Sequence, residues 1–275
     1  MKSKRKALGQ HFLHDQNIVR KILSLADLQP NETVVEIGPG HGALTRALSE
    51  AGSTVYAIEV DRRLHEILKT QFAHSPQVRI IQADALTYPY EDLPSPFAVV
   101  SNLPYSISTP LLFRLLELRT RVSRMILMVQ LEVARRIVAR EGRKEYGPLS
   151  VGVQYYSQPR LEFVVPRGCF QPKPRVDSAV LSLQVRRSPS VAVKDEAFFF
   201  RVIRAGFAHR RKSIRNALKD AGFPPDAVEN ALSAAAITTE NPQRRAETLS
   251  IEAFARLADR LFEFNGGIDE IPKGV

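Results

Sequence analysis

The stretch VVEIGPGHGALT, residues 34–45, decides the reading of the fold. An apolar run ends at Ile37, glycines follow at positions 38, 40 and 42, and Leu44 and Leu48 then recur at helical spacing. Glycine permits a tight turn and lets a ligand approach bare backbone. A strand, a glycine turn and a helix in that order open a nucleoside-type cleft in a parallel α/β sheet. The spacing is E-x-G-x-G-x-G, not the G-x-G-x-x-G of dinucleotide folds. Glu36 also lies where a pyrophosphate would meet its charge, whereas S-adenosylmethionine, a sulfonium cation with an amino group, tolerates an acid there. Glu59 ends the next apolar run, twenty-one residues after Gly38, a spacing at which a carboxylate reaches ribose hydroxyls. Asp84 follows the third run and can meet an adenine amino group. Alone, the glycines also suit a plain structural turn. Acids at successive strand ends favour the cleft.

Outward from this unit, 33–37, 54–60, 78–82, 97–100 and 124–130 read as strands. Helices of about ten residues alternate with them, which implies a parallel sheet. The runs 149–156 and 178–185 read as strands with no long helix between them, an antiparallel pair on one edge. Residues 186–193 look like a linker, and 195–222, 225–235 and 250–264 read as helices before a loose tail, 265–275. The expected fold is α/β: a Rossmann-like, class I S-adenosylmethionine-dependent methyltransferase sheet with a small C-terminal all-helical domain. The division expected is 1–187, with a basic N-terminal arm, and 188–275.

Lysine and arginine number 39 against 29 acids, a formal net charge of +10. That excess favours a polyanionic partner, most simply nucleic acid. The lone cysteine, Cys169, excludes an internal disulfide and a cysteine-rich metal site, so no metal is expected and a reducing cytosol fits. The basic start has no apolar segment of a secretory signal, and no run approaches the roughly 20 apolar residues of a membrane span. A cytoplasmic protein without a membrane partner is expected.

SNLPYSIS, residues 101–108, leaves the fourth strand beside the glycine loop, at the sheet end where such folds bind ligands. The exocyclic amine of adenine is a weak nucleophile because its lone pair is shared with the ring. The Asn102 side-chain oxygen and a backbone carbonyl near Leu103 or Pro104 can accept its two N–H groups and favour a pyramidal nitrogen. Pro104 stiffens the turn and restricts Leu103 to extended geometry. Tyr105 can stack on a flipped base, although a loop with a core tyrosine would read similarly.

These segments resemble the ribosomal RNA adenine N6,N6-dimethyltransferases of the KsgA type. The resemblance runs in order through GQHFL (9–13), VEIGPGHGALT, NLPYSIS-TPLL, EVARRIVA, YGPLSV, FQPKPRVDSAVLSL and FAHRRKSIRNAL. It implies S-adenosylmethionine as cofactor, bound by His11, Leu13, Gly38, Glu59, Asp84 and Asn102. It implies that Phe170 faces Tyr105 across the target adenine, although Phe170 read alone is a core residue. It implies a substrate too: two adjacent adenines in the hairpin loop near the 3′ end of 16S rRNA, in a nearly assembled small (30S) ribosomal subunit. A large-subunit (23S) rRNA adenine methyltransferase of the antibiotic-resistance type and a non-catalytic RNA-binding assembly factor are the alternatives.

Residues 201–219 carry Arg210, Arg211, Lys212 and Arg215 among seven basic residues, with no acid among them. The missing counter-charges single out these four as RNA-phosphate contacts rather than an ordinary solvated face. Arg135, Arg136 and Arg140 form a second cluster, and Lys2, Lys4, Arg5 and Lys6 a third. Nothing calls for more than a monomer.

Overall fold

The computed structural model describes residues 11–237, 241 and 243–264. The arm at Lys2 to Lys6 and the tail expected over 265–275 lie outside the described residues. The chain divides into two compact units. One holds the residues up to Arg135 with Tyr156–Ser188, and the other holds Arg136–Tyr155 with the residues from Pro189 onward. Residues 136–155, expected in the first domain, thus group with the C-terminal helices.

In chain order the elements of the first unit begin with β1 (Phe12–Leu13), α1 (Gln16–Ala26), β2 (Thr33–Ile37), α2 (Ala43–Glu50), β3 (Thr54–Glu59), α3 (Arg62–Gln71) and β4 (Val78–Gln82). Then come β5 (Phe97–Asn102), α4 (Ser108–Glu117), β6 (Val122–Gln130) and α5 (Leu131–Val138), in which the boundary falls. After α6 (Pro148–Tyr156) the chain returns through β7 (Ser157–Val165), β8 (Phe170–Gln171) and β9 (Ser178–Val185). The seven-stranded sheet has the order β4-β3-β2-β5-β6-β9-β7. β4, β3, β2, β5 and β6 are parallel, while β9 runs antiparallel to both β6 and β7. The strand order reverses between β2 and β5, so the carboxyl ends of these two strands flank a natural ligand crevice. Ser178 opens β9 opposite Gln130, the last residue of β6, and so lies at the same edge of the sheet.

The central strands are buried on both faces, which explains their unbroken apolar runs. On one face Ile18, Val19 and Ile22 of α1 and Leu44 and Leu48 of α2 share a core with Val34, Val55, Val100 and Ile126. Each such side chain contributes about 1.5–3 kcal/mol when removed from water. Asp15 caps α1, accepting from the N–H groups of Asn17 (2.8 Å) and Ile18 (3.3 Å). Arg124 of β6 ties down the other end of α1. Its Nε donates to the Ala26 carbonyl (2.8 Å), its Nη2 to that of Asp27 (3.0 Å), and both terminal nitrogens reach the Glu32 carboxylate at 2.8 Å.

The run 149–156 is a helix, not the expected strand. It is apolar at either period, so its pattern does not separate the two states. Its polar residues do. Ser150 and Gln154, one helical turn apart, donate to carbonyls of Arg136 (2.5 Å), Ile137 (2.9 Å) and Ala139 (2.8 Å) at the end of α5. Pro148, without an N–H, suits the first helical position. The strand that pairs with β9 is β7, SQPRLEFVV, whose exposed alternate residues and Pro159 fit an edge position.

The second unit continues with α7 (Glu196–Phe207), α8 (Ile214–Asp220), α9 (Pro225–Ala234) and α10 (Ile251–Phe264). The helix expected over 195–222 is two helices. Ser213 caps α8, accepting from the Asn216 N–H at 3.4 Å, and the Lys212 N–H turns back to the His209 carbonyl at 3.0 Å. Residues 209–212 therefore lie on a connection rather than on a helix face.

The Arg124 cluster predicts that Arg124→Met takes the guanidinium donors from the Ala26 and Asp27 carbonyls and from Glu32, which keeps only the Gln29 N–H among the described residues. Urea unfolding should show a loss of about 2–3 kcal/mol, and a loss below about 0.5 kcal/mol would contradict this role.

Candidate active site

The glycine loop after β2 is built for close approach. Gly38, Gly40 and Gly42 all have positive φ, at 66°, 60° and 77°. A Cβ on Gly40 would stand 2.6 Å from the Phe12 ring, and one on Gly38 3.1 Å from Pro104 Cγ. The bare backbone thus receives β1 from one side and the NLPY turn from the other. β1 is held by an antiparallel pairing with β8, Phe12 opposite Gln171 and Leu13 opposite Phe170. A contact between His11 Nδ1 and the Pro172 carbonyl at 2.8 Å extends that attachment.

A cleft opens where these pieces meet. His11, Leu13, Gly38, Glu59, Asp84, Asn102, Leu103, Pro104 and Tyr105 all line it. Of the residues expected at the site, Phe170 does not. Its ring is 1% exposed and belongs to the hydrophobic core with Leu13 and Val165. The structure buries it as the core residue it resembles in isolation. Reading the sequence missed Phe12, Val60 and Leu86, which also line the cleft. Val60 follows Glu59 directly and is 53% exposed, an apolar wall for a flat ring. Its signal was an apolar residue just beyond the acid at a strand end.

Asn102 is fixed in a particular sense. Its Nδ2 donates to the His11 carbonyl at 3.3 Å. A carbonyl only accepts, so this contact decides which way the amide is turned. The opposite atom, Oδ1, is buried and has no partner among the described residues. A buried acceptor left unpaired costs about 1–3 kcal/mol, so it marks a place kept for a donor. Next to it, the Leu103 N–H donates to the Met128 carbonyl (3.0 Å) and the Pro104 carbonyl accepts from Ile107 (3.1 Å). No described residue donates to the Leu103 carbonyl. Of the two backbone acceptors considered, that of Leu103 is the free one. Tyr105 is half-buried, its ring centroid 5.6 Å from that of His11. Its hydroxyl meets Ser178 Oγ at 2.5 Å. Burial raises the phenol above its usual range, and the Ser178 contact opposes this.

Two acids give the cleft its electrostatics. Burial pushes the Glu36 carboxyl up to about 8; the Thr45 hydroxyl, donating at 2.5 Å, holds it back, and nearby Glu59 adds to the rise. Burial raises Glu59 as well, against an N–H bond from Asp61 at 2.9 Å. Asp84 is exposed and accepts from the Leu86 N–H at 2.9 Å.

The basic residues expected to bind RNA have more counter-charge than their own segment carries. Lys212 pairs with Asp220 (2.5 Å), Arg215 with Glu229 (3.1 Å) and Arg210 with Glu247 (3.8 Å). These acids come from the end of α8, from α9 and from residues 246–248. The argument from missing acids is therefore corrected for three of the four residues. Arg211 is exposed and has no partner among the described residues. Arg135, Arg136 and Arg140 are exposed.

Set against known proteins, residues 1–262 match the model of a family described as ribosomal RNA adenine dimethylase. The chain belongs to the ribosomal RNA adenine dimethylase family. One member, ribosomal RNA small subunit methyltransferase A of Moorella thermoacetica, is 47% identical, covering 94% of this chain and 92% of its own. The protein of that name from Pelotomaculum thermopropionicum is 45% identical over 96% and 93%. Among solved structures, a dimethyladenosine transferase from Plasmodium falciparum superposes with a TM-score of 0.77, at 25% identity, covering 93% and 98%. The 23S rRNA methyltransferase ErmE gives a TM-score of 0.70 at 29% identity, covering 91% and 99%.

A dimethylase needs a methyl donor, and the cleft residues fit S-adenosylmethionine. The glycine loop offers backbone without side chains, Glu59 an acceptor at a strand end, Val60 and Leu86 apolar walls, and the two buried acids suit a cation.

The raised Glu36 predicts a pH effect in the cofactor-free protein. A carboxyl whose folded value lies above its ordinary 4.5 supports the fold at low pH and loses that contribution as pH rises toward about 8. Glu36→Gln removes this dependence. Urea midpoints from pH 4.5 to 9 should show wild type falling relative to the variant across that window, and parallel curves would contradict it.

Proposed function

We propose that this dimethylase transfers methyl groups from S-adenosylmethionine to N6 of two adjacent adenines in the 3′-terminal hairpin loop of 16S rRNA. It does so on the small ribosomal subunit, as a cytoplasmic monomer. The observation that carries the reading is Asn102: a buried acceptor, locked by the His11 carbonyl and otherwise unpaired. An adenine amine has two N–H groups. Asn102 Oδ1 takes one and the Leu103 carbonyl takes the other, so the nitrogen lone pair is freed from the ring. Pro104, packed on Gly38, fixes where these acceptors stand relative to the cofactor loop. Bound S-adenosylmethionine supplies an electrophilic methyl group on a good leaving group. Catalysis then rests on alignment, without a strong general base, because the amine proton becomes acidic as the nitrogen is alkylated. Tyr105 stacks on the extruded base, and an unpaired loop adenine is cheap to extrude.

The names of relatives similar over nearly the whole chain favour the small subunit over the large one. The C-terminal helical unit holds the RNA by its phosphates, and of the four cations at 210–215 Arg211 is the one without a partner among the described residues. Arg210, Lys212 and Arg215 exchange exposed or half-buried surface ion pairs, worth about 1 kcal/mol each, for phosphates.

Incubation with unmodified small subunits and labelled cofactor, followed by mapping, should yield N6,N6-dimethyladenine at two adjacent loop positions. Modification of the large subunit alone would overturn the reading. Asn102→Ala should lower transfer at least about a hundredfold with binding to the subunit retained; unchanged methylation would contradict the mechanism.

A further inference from the structure

The Tyr105 ring has one anchor at its far tip. Its hydroxyl meets Ser178 Oγ at 2.5 Å and has no other partner among the described residues. Ser178 is fully buried, at 0% exposure. Its backbone is pinned on both sides, opposite Gln130 of β6 and Val165 of β7. Its position at the cleft edge of the sheet lets a residue of an antiparallel strand touch the target-base side of the site. It does not itself line the cleft. A tyrosine ring on an irregular turn is otherwise free to change rotamer, and a bond at its tip removes that freedom.

We propose that Ser178 is a positioning residue for methyl transfer: it holds Tyr105 in the plane in which the ring stacks on the extruded adenine. This rests on Tyr105 being the stacking surface. Ser178 lies outside the lining of the cleft, so its effect falls on the chemical step, not on cofactor affinity. Only the hydroxyl–hydroxyl contact carries that effect. Removing either hydroxyl is therefore equivalent to removing both.

The test is a double-mutant cycle on the full chain with unmodified small subunits. Ser178→Ala and Tyr105→Phe should each lower kcat about five- to tenfold, the size of one lost hydrogen bond. The KM for S-adenosylmethionine should stay within about twofold, since Ser178 lies outside the cleft lining and the Tyr105 hydroxyl is engaged with it. The double variant should be no slower than either single one, whereas independent roles would multiply to about twenty-five- to a hundredfold. A merely structural role for Ser178 would lower the melting temperature and raise KM along with the loss of kcat, without coupling to Tyr105→Phe. Multiplying effects, or a Ser178→Ala enzyme with unaltered kcat, overturn the proposal. Tyr105→Ala separates it from its foundation. Full activity in that variant removes the stacking role itself, while a slow Tyr105→Ala beside a fast Ser178→Ala removes only the anchor.

Discussion

The hydrogen bond from Asn102 to the His11 carbonyl is the contact on which the site depends. A side-chain amide can turn half a revolution and present an N–H where an oxygen is needed. Here a backbone acceptor ninety-one residues away in the chain forbids that. His11 stands in place because β1 is paired with β8, and β1 lies flat on the glycine loop because Gly40 has no side chain to push it off. The same loop touches Pro104 through Gly38. Cofactor loop, N-terminal strand and target-base turn are thus one packed assembly, and it fixes a side-chain oxygen that has no partner among the described residues.

The cleft combines that oxygen with two acids that burial works against. Desolvation disfavours the charged forms of Glu36 and Glu59, and neither meets a basic side chain among the described residues. A cationic ligand with hydroxyl and amino groups relieves this, whereas a phosphate-bearing one deepens it. Placing acids in a buried cleft costs stability in the empty protein and lends discrimination when it fills.

Much of this was legible in the sequence because the signals were local. Gly38 to Gly42, Glu59 and Asn102 to Tyr105 each declare a strand end, and their residue types suit one chemistry. What stayed hidden depended on partners distant in the chain. The run 149–156 has the same apolar pattern as a strand, and only the carbonyls at the end of α5 reveal Ser150 and Gln154 as one helical face. β7 escaped notice because edge strands accept proline and charge. The bare cations of 209–215 find their acids in neighbouring elements, so a count within one segment overstated their freedom. Phe170 was expected at the site on resemblance and in the core on its own merits, and in this structure its packing against Leu13 prevails.

Whether Asn102 accepts from the target amine decides the mechanism. Small subunits can be reconstituted with purine, which lacks the amine, in place of the target adenine, and binding compared for wild type and Asn102→Ala. Loss of the amine removes two hydrogen bonds from wild type and only the Leu103 bond from the variant, so wild-type binding should weaken about five- to tenfold more than that of the variant. An Asn102→Ala protein that still discriminates adenine from purine as strongly as wild type would contradict it.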